Sequence, residues 1–215
     1  MLKAIIFDFD GVIQNFPEIV WRERKIFLRN HKVHLEKADL EILLGLTLEE
    51  QVIYINKKFK LSLVVDDLKK HRESISEIVD KEVKILEGVE DLILLLKNKK
   101  IKMAIASNKP LAAIERDLKK FNIYSKFDLI LGKEDVKKPK PDPEIFFLAA
   151  KKLHVKPEEC IMIEDAPYGI QGAKKAGMKT IGLYSSFHSS FPEADLCIKS
   201  LKELSWQKLS TLYSR

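Results

Sequence analysis

Apolar runs and their interruptions divide the chain into two textures. Ala4 to Phe7 is an unbroken apolar run, the pattern of a strand buried on both faces of a parallel sheet. From about Phe16 to Lys84 such runs vanish and apolar positions recur at helical spacing. Ile19, Ile26 and Phe27 are predicted to share one face of a helix ending near Asn30. Further helices are predicted over Lys37–Leu44, Leu48–Phe59 and Val65–Glu82. Thr47 followed by Glu50 has capping-box spacing for the third of these helices, a hydroxyl and a carboxylate able to satisfy the free amides of its first turn.

After Glu87-Gly88 the first texture returns. Helices are predicted over Val89–Leu96, Leu111–Phe121, Glu144–Leu153 and Tyr168–Ala176, the last stopped by Gly177, with Pro157 at a further helix start. Strands alternate with them at Ile101–Ala106, Phe127–Leu131, Cys160–Ile163 and Lys179–Leu183. A sixth strand is expected at Asp195–Ile198 and a closing helix over Lys202–Leu212. This alternation implies an α/β fold, a doubly wound, Rossmann-like parallel sheet. The core is expected to comprise residues 1–14 and 85–215, and an all-α domain to fill 15–84.

Right-handed crossovers bring the carboxyl ends of parallel strands to one edge, where such folds bind ligands. Residues with chemistry collect there: Asp8 and Asp10 after the first strand, Ser107 and Asn108 after the second, Glu164 and Asp165 after the fourth. Lys140 lies in the loop that follows the third. Asp-x-Asp-Gly alone is a weak signal, since most such strings are solvated turns. It is not an EF-hand loop, because the glycine comes too early and no closing Glu follows. Together, however, the acids would repel one another without a counter-charge. A hard divalent cation such as Mg²⁺, completed by a substrate phosphate, answers that need. Hydroxyl, amide and ammonium groups opposite the acids suit the remaining phosphoryl oxygens, so the set describes phosphoryl transfer. No P-loop or Gly-x-Gly-x-x-Gly string occurs, so a nucleotide cradle is not indicated.

Composition narrows the picture. Of 215 residues, 46% are hydrophobic, enough for a packed core. The net charge of +6 comes from interspersed rather than blocked charges, a solvated surface and not a nucleic-acid face. The two cysteines, Cys160 and Cys197, sit far apart in apolar settings, so buried free thiols in a reducing cytoplasm are expected. Neither a signal peptide nor a membrane-spanning run is expected. The five histidines show no zinc-ligand spacing.

These motifs resemble the haloacid dehalogenase superfamily, in its branch of β-phosphoglucomutase and phosphoglycolate-phosphatase-like enzymes. Asp8-Phe9-Asp10-Gly11-Val12 matches the first family motif and Ala106-Ser107-Asn108 the second. Lys140-Pro141-Asp142-Pro143-Glu144-Ile145-Phe146 matches the third, and Ile163-Glu164-Asp165-Ala166 with Gly169 the fourth. The all-α insert stands where this branch carries a helical cap. The resemblance implies an aspartyl-phosphate mechanism. Asp8 would be the nucleophile and Asp10 the acid and base. Asp8, the Asp10 backbone carbonyl and Asp165 would hold Mg²⁺, with Glu164 alongside, directly or through water. Ser107 and Lys140 would bind the phosphoryl group, and Asn108 would touch it or orient a neighbour. Lys138 rivals Lys140, though the Asp-Pro-Glu-Ile-Phe that follows favours Lys140. Dehalogenating relatives lack the second aspartate, so Asp10 points to phosphate chemistry.

The cap departs from the mutase pattern. Val20 and Leu48 stand in Glu18-Ile19-Val20-Trp21 and Gly45-Leu46-Thr47-Leu48-Glu49, where a mutase carries a histidine and a phosphate-binding arginine. Arg22 and Arg24 are substitutes for that arginine or solvated helix charges. The expectation is a monomeric, cytoplasmic, Mg²⁺-dependent phosphatase of a small phosphorylated metabolite, with no nucleic-acid or membrane partner. A sugar phosphomutase is the alternative, and a non-catalytic binding module a third reading. Specificity is expected in the cap, around Phe16–Arg24 and Leu44–Glu50.

Overall fold

The computed structural model describes residues 1–44 and 46–214. The chain forms two compact units, one of residues 1–15 and 84–215 and the other of Phe16–Val83.

The first unit is built on a six-stranded, all-parallel sheet. Its strands are β1 (Ala4–Phe7), β2 (Lys102–Ala106), β3 (Leu129–Leu131), β4 (Cys160–Glu164), β5 (Lys179–Leu183) and β6 (Leu196–Ile198), in the order β3-β2-β1-β4-β5-β6. The chain winds outward from β1 through β2 to β3, then restarts beside β1 at β4. The topological switch therefore lies between β1 and β4, where doubly wound sheets open a crevice for ligands. Strand side chains alternate between two apolar layers, as their period of two demands. Ile5, Phe7, Met103, Ile105, Ile161 and Ile163 face one layer with α6 (Val89–Asn98), α7 (Leu111–Lys120) and α10 (Trp206–Ser214). Ala4, Ile6, Ala104, Ala106, Cys160 and Met162 face the other with α8 (Glu144–Lys152) and α9 (Pro167–Lys175). Small residues dominate the second layer's share of β1 and β2, where Phe146 of α8 is fully buried.

The helical unit contains α1 (Phe16–Asn30), α2 (Lys37–Leu44), α3 (Leu48–Phe59), α4 (Val65–Ser74) and α5 (Ser76–Glu82). The capping box at α3 is formed: Glu50 donates its amide to Thr47 Oγ1 at 3.3 Å, and Thr47 donates its amide to Glu50 Oε2 at 2.8 Å. Gly45, part of the stretch compared with the mutase pattern, lies outside the described residues.

Several expectations fail locally. Ile26 does not share the buried face of α1 but is exposed; the buried stripe runs through Ile19, Trp21, Arg24 and Leu28. An arginine occupies a position that hydropathy alone would deny it. The single helix expected over Val65–Glu82 is two helices parted at Ile75. The Ser74 hydroxyl donates to the His71 carbonyl at 2.8 Å, competing with the helical amide for that acceptor. The closing helix begins only at Trp206, after a short 3₁₀ turn over Leu201–Glu203. Ser205 Oγ accepts from the Lys208 amide at 3.2 Å, the geometry of a fresh N-cap. Cys160 and Cys197 are free thiols, but only Cys160 is fully buried. Burial pushes the Cys160 thiol up to about 12. No helix among the described residues is long and apolar enough to cross a membrane.

Candidate active site

The sheet register sets the site. Phe7, the last residue of β1, pairs with Ile105 of β2 and Ile163 of β4. The next residues along each strand, Asp8, Ala106-Ser107 and Glu164-Asp165, therefore meet at the carboxyl edge of the switch point. Asp8 is tied there by its amide, which donates to the Ile163 carbonyl at 2.9 Å. Asp8, Ser107, Lys140, Glu164 and Asp165 are all buried, and Asp10 is partly exposed.

Lys140 is the central cation. Its Nζ donates to Asp8 Oδ1 at 2.7 Å and to Glu164 Oε1 at 2.9 Å. Lys138, its rival, points its ammonium to solvent at 73% exposure, 3.8 Å from Asp142. Asn108 fixes the Lys140 backbone from both sides, accepting from its amide at 3.0 Å and donating to its carbonyl at 3.4 Å. Glu144 shapes the same loop by accepting from the amides of Lys137 and Lys138. Ser107 Oγ accepts from the Lys109 amide at 3.3 Å, an ST-turn that closes the loop after β2.

The acids are crowded. Asp8, Glu164 and Asp165 each offer a carboxylate oxygen, and these lie within 4.8 Å of one another. Burial pushes the Asp8 carboxyl up to about 6, against the pull of the Lys140 ammonium and with the push of Glu164. Burial and the charges of Glu164, Asp8 and Asp10 hold the Asp165 carboxyl well above its ordinary value. Burial lowers the affinity of Lys140 for its proton, but Asp8 and Glu164 more than restore it, so the ammonium is firmly charged. One ammonium among three buried carboxylates leaves negative charge uncompensated. That is the condition a hard divalent cation with oxygen ligands relieves, so the donor set fits such an ion. Glu164 is already engaged on both oxygens, since Oε2 accepts from the amides of Asp165 at 2.8 Å and Ala166 at 3.0 Å.

Two glycines make room for this cluster. Gly11 has φ +88° and faces the Asp165 carboxylate so closely that a Cβ would collide with it. Gly169, at the start of α9, leaves the space that Glu164 Oε1 fills.

A second set of partners surrounds Asp10. Gln14 Nε2 donates to Asp10 Oδ1 at 2.7 Å and Lys109 Nζ to the same oxygen at 2.9 Å. Both donors also reach Asp117 Oδ2 on α7, each at 3.2 Å. Gln14 and Asp117 are buried. Burial raises the Asp10 carboxyl above its ordinary value, opposed by Lys109 and Gln14. Gln14, Lys109 and Asp117 were not among the residues expected at the site. A buried-side signal existed for Asp117, which falls on the α7 stripe with Ile114 and Leu118; an acid on an apolar stripe asks for a partner.

Residues 5–183 match the family described as haloacid dehalogenase-like hydrolases. The chain belongs to that family. The hydrolase is 30% identical to a β-phosphoglucomutase of Bacillus subtilis, over 97% of this chain and 94% of that protein. It is 28% identical to a Thermotoga maritima protein named phosphorylated carbohydrates phosphatase, over 87% of each. Among solved structures, the β-phosphoglucomutase of Clostridium difficile superposes with a TM-score of 0.78 at 28% identity, covering 100% of this chain and 98% of that one. Family and fold thus agree with the enzyme class, a hydrolase among phosphatases and phosphomutases.

Proposed function

We propose that the hydrolase is a Mg²⁺-dependent phosphatase of a small phosphorylated metabolite, working through a phosphoaspartate on Asp8. The observation that carries this is the convergence of Lys140 on Asp8 and Glu164 beside the Asp165 carboxylate. Asp8, the Asp10 carbonyl and Asp165 would hold the cation, with Glu164 at its margin. When bound, Mg²⁺ supplies charge neutralisation for the acids and for the phosphoryl oxygens. Asp8 supplies the attacking oxygen: its Oδ forms a bond to phosphorus as the ester P–O bond breaks. Asp10, protonated, gives its proton to the departing alkoxide. As a carboxylate it then takes a proton from water, whose oxygen bonds to phosphorus while the P–Oδ bond of Asp8 breaks. Free phosphate leaves and both aspartates are restored.

Ser107 and Lys140 would bind the transferring phosphoryl oxygens, with the Lys140 ammonium exchanging its Asp8 contact for one of them. Asn108 orients Lys140 through the backbone. The helical unit would carry the substrate specificity. Val20 and Leu48, in place of the mutase histidine and arginine, favour hydrolysis over isomerisation. The test is phosphate release from 4-nitrophenyl phosphate. We expect EDTA to abolish it, Mg²⁺ to restore it and Asp8→Asn to lower it by about 10⁴-fold or more. Turnover that survives the Asp8 substitution would remove the nucleophile.

A further inference from the structure

Gln14 is fully buried beside Asp10, although a glutamine in a loop ordinarily faces water. The turn after β1 puts it there. Gly11, at φ +88°, donates its amide to the Gln14 carbonyl at 2.8 Å, and the Gln14 amide donates to the Phe9 carbonyl at 3.3 Å. Residue 14 is thereby folded back onto residue 10, and a bridge to Ile85 fixes it from the other side.

The side-chain amide of Gln14 then meets two acids at once, Asp10 Oδ1 at 2.7 Å and Asp117 Oδ2 at 3.2 Å. Lys109 Nζ spans the same two oxygens, at 2.9 and 3.2 Å. Two nitrogens and two carboxylate oxygens thus close a ring. Its outer end is anchored, because Asp117 Oδ1 accepts from Arg116 Nε at 3.0 Å and Nη2 at 2.8 Å. Turning the Gln14 nitrogen toward both acids turns its oxygen away from them. Oε1 is buried with no hydrogen-bond partner among the described residues. A stranded carbonyl is costly, so packing alone does not account for an amide at this position.

The ring treats the two oxygens of Asp10 differently. Both donors hold Oδ1, and no donor among the described residues reaches Oδ2. A carboxylate gripped by one oxygen keeps a fixed plane and leaves the other to a reacting group. Asp10, Gln14, Lys109 and Asp117 all belong to the sheet unit.

We propose that Gln14 is a positioning residue: with Lys109 and Asp117 it clamps Asp10 by Oδ1, so that Oδ2 is the oxygen that exchanges protons in the reaction. Resting on the phosphatase reading, this assigns the proton given to the departing ester oxygen, and the one later taken from water, to Oδ2.

The test is Gln14→Met, which keeps the length of the side chain and removes the amide. We compare kcat/KM for phenyl phosphate, whose leaving oxygen needs a proton, and for 4-nitrophenyl phosphate, whose leaving oxygen needs it less. The phenyl to 4-nitrophenyl ratio should fall by about tenfold in Gln14→Met. It should fall no further when Gln14→Met is added to Asp10→Asn. A second measurement needs no turnover. Urea unfolding of the metal-free parent, Asp10→Asn, Gln14→Met and the double variant forms a cycle in which the clamp predicts non-additive losses. If Gln14→Met does not fold, Gln14→Asn, which keeps the amide but falls short of both carboxylates, takes its place. An unchanged substrate ratio or additive unfolding losses overturn the proposal. A parent inert toward both esters removes the phosphatase reading and the proton role with it, and the unfolding cycle then decides the clamp alone.

Discussion

Two groups of acids in this molecule have opposite fates. At the carboxyl edge of the sheet, Asp8 and Asp165 are buried with too few donors, and their carboxyls are pushed up. In the helical unit, Asp39 is just as buried, but it accepts from Tyr54 Oη at 2.6 Å, from the Glu36 amide at 3.0 Å and from the Lys58 ammonium. Burial pushes Asp39 up, yet these donors outweigh it and hold the carboxyl below its ordinary value. The same side chain is thus an anchor in one place and an unmet charge in the other. The difference lies in the donors each carboxylate meets and in how far below the surface its charge sits. Acids with a structural role are satisfied by the chain itself, and buried acids short of donors are candidates for a ligand.

Substitutions can break that contrast or sharpen it. The largest effect on stability is expected from Lys140→Met, which leaves Asp8 and Glu164 buried without their shared cation. The metal-free protein should lose about 3–5 kcal/mol in urea denaturation; a loss under 1 kcal/mol would show the acids to be otherwise compensated. Asp39→Ala strands the Tyr54 hydroxyl and the Glu36 amide and should cost about 2–3 kcal/mol at neutral pH. Because the Asp39 carboxyl is depressed when folded, its contribution is present above the unfolded value near 3.8. It is lost as pH falls below that through the folded value. Acid denaturation should therefore lose part of its steepness below pH 4 in Asp39→Ala, and an unchanged acid limb would count against the pairing.

Asp117→Asn should act on rate more than on fold. It loosens the Lys109 and Gln14 donors that hold Asp10. The expected loss is about tenfold in kcat for an alkyl phosphate, whose departure needs the proton, and less for 4-nitrophenyl phosphate, whose does not. Equal losses on both would place Asp117 outside the proton path. The smallest effect has the opposite sign. Asp165→Asn relieves the crowded cluster and should stabilise the metal-free protein by about 1 kcal/mol at pH 7.5, while the gain in melting temperature on adding Mg²⁺ shrinks.

The same contrast separates what the sequence pattern reveals from what it hides. Asp8, Asp10, Ser107, Lys140, Glu164 and Asp165 were legible because each follows a strand pattern, and parallel topology forces such positions to one edge. The pairing of Gln14 with Asp117 was not legible, because it is made through space across 103 residues. No local period reports such a pairing. Arg24 was misleading in its own way: a charged residue in a helical stripe reads as solvent-facing, and only the packing of α1, α3 and α4 put it inside.

The amino-acid order by itself determined the alternation of strands and helices, the place of the helical insertion and the identity of the acids at the sheet edge. Those follow from local periodicity and from the handedness of crossovers, which act on any chain with this pattern. Tertiary structure alone decided which donor meets which acid. It gave Lys140 to Asp8 and Glu164, gave Lys109 to Asp10 and Asp117, and left Arg24 Nε without a hydrogen-bond partner among the described residues. Such pairings depend on a few ångströms of side-chain reach in a low-dielectric interior, and that distance is set by packing rather than by sequence spacing.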